Sequence, residues 1–189
     1  MMVGTPRLHC SLHLQFDVTT STRVRPAGGT TFGSGKSIGA KLNEATLVEV
    51  PGSGDILANI RPDTGGPRVV ARSSDGGETW TAPEPDAALI NGGCQASMLR
   101  VGDDVFFSNP ASLVGRCNGT MRRSSDGAAT WPSAVPLGRP LDAFAYSCLT
   151  HTPAGNSIGV IFETGTPNVV SPSGAKLGGC YGVSCQIRY

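Results

Sequence analysis

A short motif that occurs twice constrains the fold of this chain more than any other feature. The segment SSDGGETW covers Ser73–Trp80, and SSDGAATW covers Ser124–Trp131, at an offset of 51 residues. A weaker copy, RPAGGTTF, covers Arg25–Phe32 and keeps a glycine, a threonine and the final aromatic residue. Repeats of about 50 residues are typical of propeller blades, in which small antiparallel sheets are arranged around an axis. The repeat therefore predicts an all-β propeller.

The residue types of this motif, an Asp box, suit a structural turn. The carboxylates of Asp75 and Asp126 can accept hydrogen bonds from backbone N–H groups of their own turn. Glycines permit positive φ there, whereas Ala128 occupies the place of Gly77 and predicts a slightly strained second turn. The aromatic residues that end each box can pack between neighbouring sheets. We therefore assign a structural role to the Asp-box residues Ser73, Asp75, Gly77, Trp80, Ser124, Asp126 and Trp131.

Strand patterns fall between the boxes as a blade requires. Three strands precede the first box, at residues 44–50, 55–61 and 67–73. The next sheet repeats this plan with strands at residues 95–100, 104–109 and 120–124. The last region supplies strands at residues 146–151, 157–163 and 182–189. At about 50 residues per blade, the 189 residues of the chain make about three to four blades, which is an incomplete propeller.

Composition and charge exclude several classes of protein. Hydrophobic residues make up 39% of the chain, which is too many for a wholly disordered chain. No apolar run approaches the roughly 18 residues of a membrane-spanning helix, and a formal net charge of +1 argues against a nucleic-acid-binding surface. The six cysteines and three histidines lack metal-ligand spacing, so we expect buried thiols, no metal and no cofactor. The first residues lack the apolar segment of a signal peptide.

With their surroundings, the boxes resemble the sialidase (neuraminidase) superfamily. The run NEATLVEV, ANIR and RVVARSSDGGETW is similar to the family order of Glu, strand, Arg, strand and box. The segments FFSNPASLVGR, TMRRSSDG, FAYSCLTHTPAGNSIGVIFETG and QIRY resemble later family segments in colinear order. The resemblance implies a β-propeller of the six-bladed sialidase type. Residues 26–189 would form an incomplete part of that propeller, and residues 1–25 stay unassigned.

Carried over to this sequence, the resemblance implies a site of five residues. Tyr146 matches the family nucleophile, and Glu44 matches the carboxylate that takes its proton. Arg61 and Arg116 match the second and third members of the family's carboxylate-binding Arg triad. Glu163 matches the Glu that orients the first Arg of that triad.

The chemistry of sialic acid explains these residue types. Its anomeric carbon carries a carboxylate, which arginines bind through charge-assisted hydrogen bonds. A carboxylate nucleophile would be repelled by that group, whereas a phenol is neutral until a neighbouring base activates it. Sialidases are accordingly the tyrosine-nucleophile exception among glycosidases. The resemblance thus implies an exo-α-sialidase-like glycoside hydrolase that removes terminal sialic acid from glycoproteins, gangliosides or oligosaccharides, with retention through a tyrosyl intermediate.

Other interpretations stay open at this point. Asp boxes also occur in non-catalytic propellers, so the chain could bind sialylated glycans or proteins without cleaving them. It could also be a trans-sialidase, in which a sugar hydroxyl replaces water. Tyr146 could be a packing aromatic and Glu44 a solvated strand residue, while Arg61 and Arg116 could be ordinary surface arginines. The remaining arginines near the boxes are expected to be structural or exposed: Arg68, Arg72, Arg122 and Arg123.

Two family elements have no counterpart in this sequence. One is a short Arg-Ile-Pro segment that carries the first triad Arg, and the other is the Asp that serves as acid/base. Without them the set of carboxylate-binding arginines is incomplete, and no residue is assigned to protonate the leaving group. General acid–base catalysis typically raises the reaction rate by about 10²–10⁴-fold. We therefore expect the missing blades to come from N-terminal sequence outside this chain or from another chain.

Overall fold

The chain folds as a set of antiparallel sheets. The structure is a computed structural model that describes residues 20–24, 33–152, 157–165, 169–170, 176–177 and 181–187. Every element within these ranges is a strand, so none of them holds a helix that could span a membrane. Three features of the sequence lie outside the described residues: the weak box copy at Arg25–Phe32, the domain boundary after residue 25, and the final strand residues Arg188 and Tyr189.

Three sheets have the layout of successive propeller blades. A pair of strands, β1 (Thr20–Val24) and β2 (Gly33–Gly39), precedes them. The first blade contains, in spatial order, β3 (Leu42–Glu49), β4 (Ile56–Pro62), β5 (Arg68–Ser73) and β6 (Glu84–Asp86). The second blade repeats this order with β7 (Ser97–Val101), β8 (Asp104–Pro110), β9 (Gly119–Ser124) and β10 (Ser133–Pro136). In the third blade, β12 (Ser157–Gly165) lies between β11 (Ser147–Thr152) and β15 (Tyr181–Ile187), and the pair β13 (Val169–Val170) and β14 (Lys176–Leu177) intervenes in sequence.

The sheets make a partial propeller of the kind that the repeat predicts. Each predicted strand is present, with ends no more than two residues from the predicted positions in the described part of the chain. The outer strands β6 and β10, which follow the two boxes, were not predicted. Their sequences, EPD and SAVP, are short, exposed and contain proline, so they carry no alternating apolar pattern.

Apolar cores fill the spaces between the sheets. Alternation along β3 buries Leu42 and Val48 and exposes Leu47 and Glu49. One cluster joins the first and second blades and comprises Val48, Val50, Leu57, Leu89, Ala96, Met98, Val105, Phe107, Ala128 and Trp131. A second cluster joins the second and third blades around Leu137, Phe144, Leu149, Val160 and Phe162. Adjacent blades therefore pack face to face, as blades of a propeller do.

The two Asp boxes form the same turn. Ser73 Oγ accepts the Gly77 N–H (2.8 Å), and Asp75 Oδ1 accepts the Thr79 N–H (2.9 Å). The second box repeats these bonds from Ala128 N to Ser124 Oγ (2.9 Å) and from Thr130 N to Asp126 Oδ1 (2.9 Å). Hydrogen bonds, from Thr79 foremost in the first box and Ser124 foremost in the second, hold the pKa of Asp75 and Asp126 well below its usual range.

The residues that complete the boxes have distinct environments. Ala128 has a φ of 62°, which lies in the left-handed region. Gly77, at the same position of the first box, also has a positive φ, of 98°. Trp131 is buried against Phe107 and donates its indole N–H to Asp86 Oδ2 (3.0 Å). Trp80 packs on a separate cluster between the β1–β2 pair and the first blade and donates to Gly77 O (3.2 Å). The hydrogen bonds of the boxes thus stabilise the turns, and their tryptophans pack against the cores.

Hydrogen bonds at equivalent positions join the first strands of neighbouring blades. The Met98 N–H of β7 donates to Thr46 Oγ1 of β3 (3.1 Å). The Leu149 N–H of β11 donates to Ser97 Oγ of β7 (3.0 Å). Both members of the second bond lie 51 residues after the members of the first, which is the offset of the Asp boxes. This repeated contact brings the beginnings of β3, β7 and β11 together.

Candidate active site

The five residues that the sequence singles out come from all three blades. Glu44 lies in β3, and Arg61 lies near the end of β4. Arg116 lies in the loop between β8 and β9, while Tyr146 directly precedes β11 and Glu163 lies in β12. The structure brings the first four side chains into one cluster and places Glu163 beside Tyr146 through its backbone.

A hydrogen bond joins Tyr146 to Glu44. The phenol hydroxyl donates to Glu44 Oε1 over 2.6 Å, and the Glu44 side chain is buried, with 8% of the residue exposed. Burial and this hydrogen bond to the carboxylate raise the pKa of Tyr146 to about 12. The phenol is therefore neutral near pH 7, with an acceptor for its proton already at bonding distance.

Arg61 holds the other oxygen of the same carboxylate. Its Nη1 donates to Glu44 Oε2 over 3.1 Å, so each carboxylate oxygen of Glu44 has its own donor. The Nε of Arg61 is buried and finds no hydrogen-bond acceptor among the described residues. A buried donor without an acceptor is rare in proteins, and such a group is available to a bound anion.

Arg116 lies on the ring of Tyr146. Its guanidinium carbon is 5.2 Å from the ring centroid, within the distance of a cation–π contact. One guanidinium nitrogen, Nη2, also donates to Gly93 O over 3.2 Å. Two arginines thus flank the Tyr146–Glu44 pair, and the cluster combines a neutral phenol, a buried carboxylate and two cations.

Glu163 approaches this cluster only through its main chain. Its N–H donates to Tyr146 O (2.9 Å), and its own carbonyl accepts the Ala145 N–H (3.0 Å). In the described ranges, its carboxylate has neither an ion pair nor a hydrogen bond. The cationic partner that the family resemblance implies for it is therefore not among those residues.

The other arginines near the boxes make structural or surface contacts. Arg68 is fully buried and donates to Asn59 Oδ1 (2.7 Å) and Cys94 O (2.8 Å). Arg72 donates to Gly127 O (2.8 Å), and Arg123 forms an exposed ion pair with Asp104 (2.8 Å). Cys94, Cys117 and Cys148 are thiols rather than disulfides. In the described part of the chain, no group of His, Cys, Asp and Glu is arranged to hold a metal ion.

One residue at the site was missed by the sequence analysis. Gln95 lies two residues before β7, and its Oε1 accepts the N–H of Ser147, the residue after Tyr146 (3.0 Å). The signal that could have found it is the repeat itself, because Gln95 is 51 residues after Glu44 and 51 residues before Tyr146. The three residues occupy equivalent positions in the three blades.

Comparisons with known proteins give one consistent family. No family model matches the chain. A curated sialidase from Bacteroides fragilis (strain YCH46) is 37% identical in an alignment of 131 residues that covers 64% of this chain and 24% of the relative. A curated sialidase from Micromonospora viridifaciens is 34% identical in an alignment of 149 residues that covers 73% of this chain and 22% of the relative. The chain therefore spans about a quarter of the length of these relatives.

Solved structures agree with these relatives. The Hadza microbial sialidase Hz136 superposes with a TM-score of 0.64 and 30% identity, over 72% of this chain and 28% of that structure. The K499G mutant of the NanB sialidase from Streptococcus pneumoniae superposes with a TM-score of 0.65 and 27% identity, over 76% of this chain and 24% of that structure. Both similarities are to part of a larger sialidase chain.

Proposed function

Because the chain belongs to the sialidase superfamily, we propose that it carries part of the catalytic site of an exo-α-sialidase that releases terminal sialic acid with retention of configuration. The observation that supports this most strongly is the 2.6 Å hydrogen bond from the Tyr146 hydroxyl to Glu44. A weak nucleophile beside a general base is the arrangement that covalent catalysis requires. The substrates would be sialylated glycoproteins, gangliosides or oligosaccharides.

In this proposal Tyr146 is the nucleophile and Glu44 is its base. As the phenol oxygen attacks the anomeric carbon, Glu44 takes the hydroxyl proton and the bond to the aglycone oxygen breaks. The departing oxygen takes a proton from an acid that lies outside the residues assigned here. Water then attacks the anomeric carbon, the bond to Tyr146 breaks, and Glu44 returns the proton to the phenolate. The proton lost by water restores the acid, and two inversions give retention.

Arg61 and Arg116 would bind the substrate carboxylate. The buried Nε of Arg61 has no acceptor within the described residues, so an anion placed there would satisfy it. Arg116 lies over the Tyr146 ring and would hold that anion on the side of the nucleophile. Charge-assisted hydrogen bonds from arginine to carboxylate are among the stronger ones in proteins. The same cations would stabilise the negative charge that develops on the phenol oxygen.

The chain supplies only part of such a site. We propose that residues 26–189 belong to the propeller, and that the first triad Arg and the acid/base Asp lie on blades from sequence outside this chain or from another chain. This division accounts for the Glu163 carboxylate, which faces no cation among the described residues. It also agrees with the quarter-length coverage of the curated relatives.

A second candidate function is glycan binding without cleavage. The observation that favours it is that the chain has no assigned acid for the leaving group. General acid–base catalysis typically raises the reaction rate by about 10²–10⁴-fold, and a chain without the acid would lack this rate enhancement. Such a module would use Arg61 and Arg116 for the sialic acid carboxylate and would not need Tyr146 as a nucleophile. A trans-sialidase would keep the nucleophile and replace water with a sugar hydroxyl in the second step.

Hydrolysis of a fluorogenic aryl sialoside separates these functions. An activated aryl oxide departs without prior protonation, so the missing acid does not prevent release of the fluorophore by the wild-type chain. We expect Tyr146→Phe and Glu44→Gln to lower kcat for this substrate by about 10²–10⁴-fold. Binding of sialyllactose, measured by calorimetry, should survive Tyr146→Phe because both arginines remain. Arg123→Gln is the matched control, since it changes an exposed ion pair in the second blade and should leave the rate unchanged.

Each outcome selects one function. Equal rates for the wild type and Tyr146→Phe would remove Tyr146 as the nucleophile. No hydrolysis by any variant, with sialyllactose binding that Arg61→Met abolishes, would favour the glycan-binding module. Transfer of sialic acid to added lactose in place of hydrolysis would favour the trans-sialidase.

A further inference from the structure

Three consecutive residues of one loop each accept a hydrogen bond from a different part of the site. Gly93 O accepts Arg116 Nη2 (3.2 Å), and Cys94 O accepts Nη1 of Arg68 (2.8 Å). Gln95 Oε1 then accepts the backbone N–H of Ser147 (3.0 Å). The loop belongs to the second blade, whereas Arg68 belongs to the first and Ser147 to the third. The segment Gly93–Gln95, which we call the junction loop, therefore connects all three blades beside Tyr146.

The first blade anchors the junction loop firmly. Arg68 has no exposed surface, and it spans from the Asn59 carboxamide oxygen (2.7 Å) to Cys94 O. Burial lowers the pKa of Arg68 to about 9, so the guanidinium is still protonated at neutral pH. A hydrogen bond from a cation is stronger than one between neutral groups. The Cys94 carbonyl, and with it the neighbouring Gln95, is therefore fixed relative to the blade that carries Glu44.

The distance between Tyr146 and Glu44 depends on this connection. The two residues are 102 positions apart, on blades that are separated by the second blade. Small rotations of either blade would add up at their contact, and a displacement of about 1 Å at a reacting group can cost about 10²-fold in rate. A link from the middle blade to the residue next to Tyr146 limits that displacement.

We propose that Gln95 is a positioning residue, whose carboxamide oxygen holds the backbone at Ser147 and thereby keeps the Tyr146 hydroxyl at bonding distance from Glu44. The expected effect of Gln95 on the reaction rate rests on the proposed function. The geometric part concerns the Tyr146–Glu44 hydrogen bond and stands independently. Gln95 does not act on the substrate in this proposal; it acts through Ser147.

The test replaces the acceptor while keeping the size of the side chain. Gln95→Met is near-isosteric and leaves the Ser147 N–H without its acceptor. The full chain labelled with [13Cζ]tyrosine gives one resonance for each of its three tyrosines, and Tyr146→Phe identifies the one from Tyr146. Glu44→Gln shows how far this resonance moves when its acceptor loses its charge. We expect Gln95→Met to move the resonance in the same direction and to lower kcat by about 10-fold or more, with KM changed less than kcat.

Ser97→Ala is the matched control. It removes an interblade acceptor between the same two blades, where Leu149 donates to Ser97 Oγ over 3.0 Å. It should lower stability to a similar extent and leave the Tyr146 resonance in place, because Ser97 contacts β11 beyond the site. A shift of equal size in Ser97→Ala would show that any loss of interblade contact moves Tyr146, and would overturn the specific role of Gln95.

Further outcomes separate this inference from the proposed function. An unchanged Tyr146 resonance and kcat in Gln95→Met would overturn the inference while the chain remained an active sialidase. A shifted resonance in a chain that hydrolyses no sialoside would support the positioning role and contradict the proposed function. If Gln95→Met does not fold, the wild type itself provides the measurement. A scalar coupling across the hydrogen bond from Ser147 15N to Gln95 13Cδ is expected, and its absence would count against the proposal.

Discussion

Replacing Arg68 by methionine is expected to destabilise the chain strongly, although Arg68 lies outside the proposed catalytic groups. Arg68 is fully buried, and it faces carbonyl oxygens rather than a carboxylate. Methionine keeps the length of the aliphatic part and removes every donor. The perturbation therefore removes the interior hydrogen bonds of the guanidinium and also leaves part of its buried volume unfilled.

The expected magnitude follows from the acceptors that would be left behind. Asn59 Oδ1 (2.7 Å) and Cys94 O (2.8 Å) would both lose their donor. A buried polar group without its partner costs about 1–3 kcal/mol, so the two together cost about 2–6 kcal/mol. Removal of a desolvated cation offsets part of this loss and favours the lower half of the range.

Urea unfolding followed by fluorescence of Trp80 and Trp131 measures this loss. With a slope of about 2 kcal/mol/M, a loss of about 2–4 kcal/mol lowers the midpoint by about 1–2 M. Arg72→Met is the matched control in the same strand, since Arg72 is half-buried and makes one side-chain hydrogen bond, to Gly127 O. It should cost no more than about 1.5 kcal/mol. Equal midpoints for the two variants would refute the assignment of Arg68 as the anchor of the junction loop.

Two further predictions concern the Asp boxes and the packing between blades. Because the folded pKa of Asp75 and Asp126 lies below the usual 3.8, their stabilisation is fully present above about pH 4 and is lost as the pH falls further. The urea midpoint should decline below that pH, and less steeply in the Asp75→Asn/Asp126→Asn double variant; parallel declines would contradict this. A Cβ on Gly119 would overlap the ring of Phe144 at Cδ2. Gly119→Ala should therefore lower the free energy of unfolding by about 1–3 kcal/mol. This loss should exceed that of Gly159→Ala, where the nearest atom to the added Cβ is 3.2 Å away. Equal losses would show that the Phe144 ring moves aside without cost.

The strands and turns within each blade could be predicted from the sequence because they depend on residues that are close to one another in the chain. The Asp boxes combine turn residues and an aromatic residue within a few positions, so their spacing predicts sheets at a 51-residue repeat. Alternation along residues 44–50 predicts that Leu47 and Val48 lie on opposite faces of β3, and the packing of the blades buries Val48 and leaves Leu47 exposed. The short outer strands β6 and β10 escaped prediction because exposed, proline-containing segments have no such alternation.

The meeting of the site residues was decided by the packing of the blades. The sequence by itself predicted that Glu44 and Tyr146 lie near the beginnings of two strands, and the family resemblance paired them. Their 2.6 Å contact across 102 residues arises from the cores between blades and from interblade hydrogen bonds. Arg68 and Gln95 were not predicted to connect the blades because their key partners are main-chain carbonyl and N–H groups. Every residue carries such groups, so only the tertiary structure could show which of them these two side chains reach.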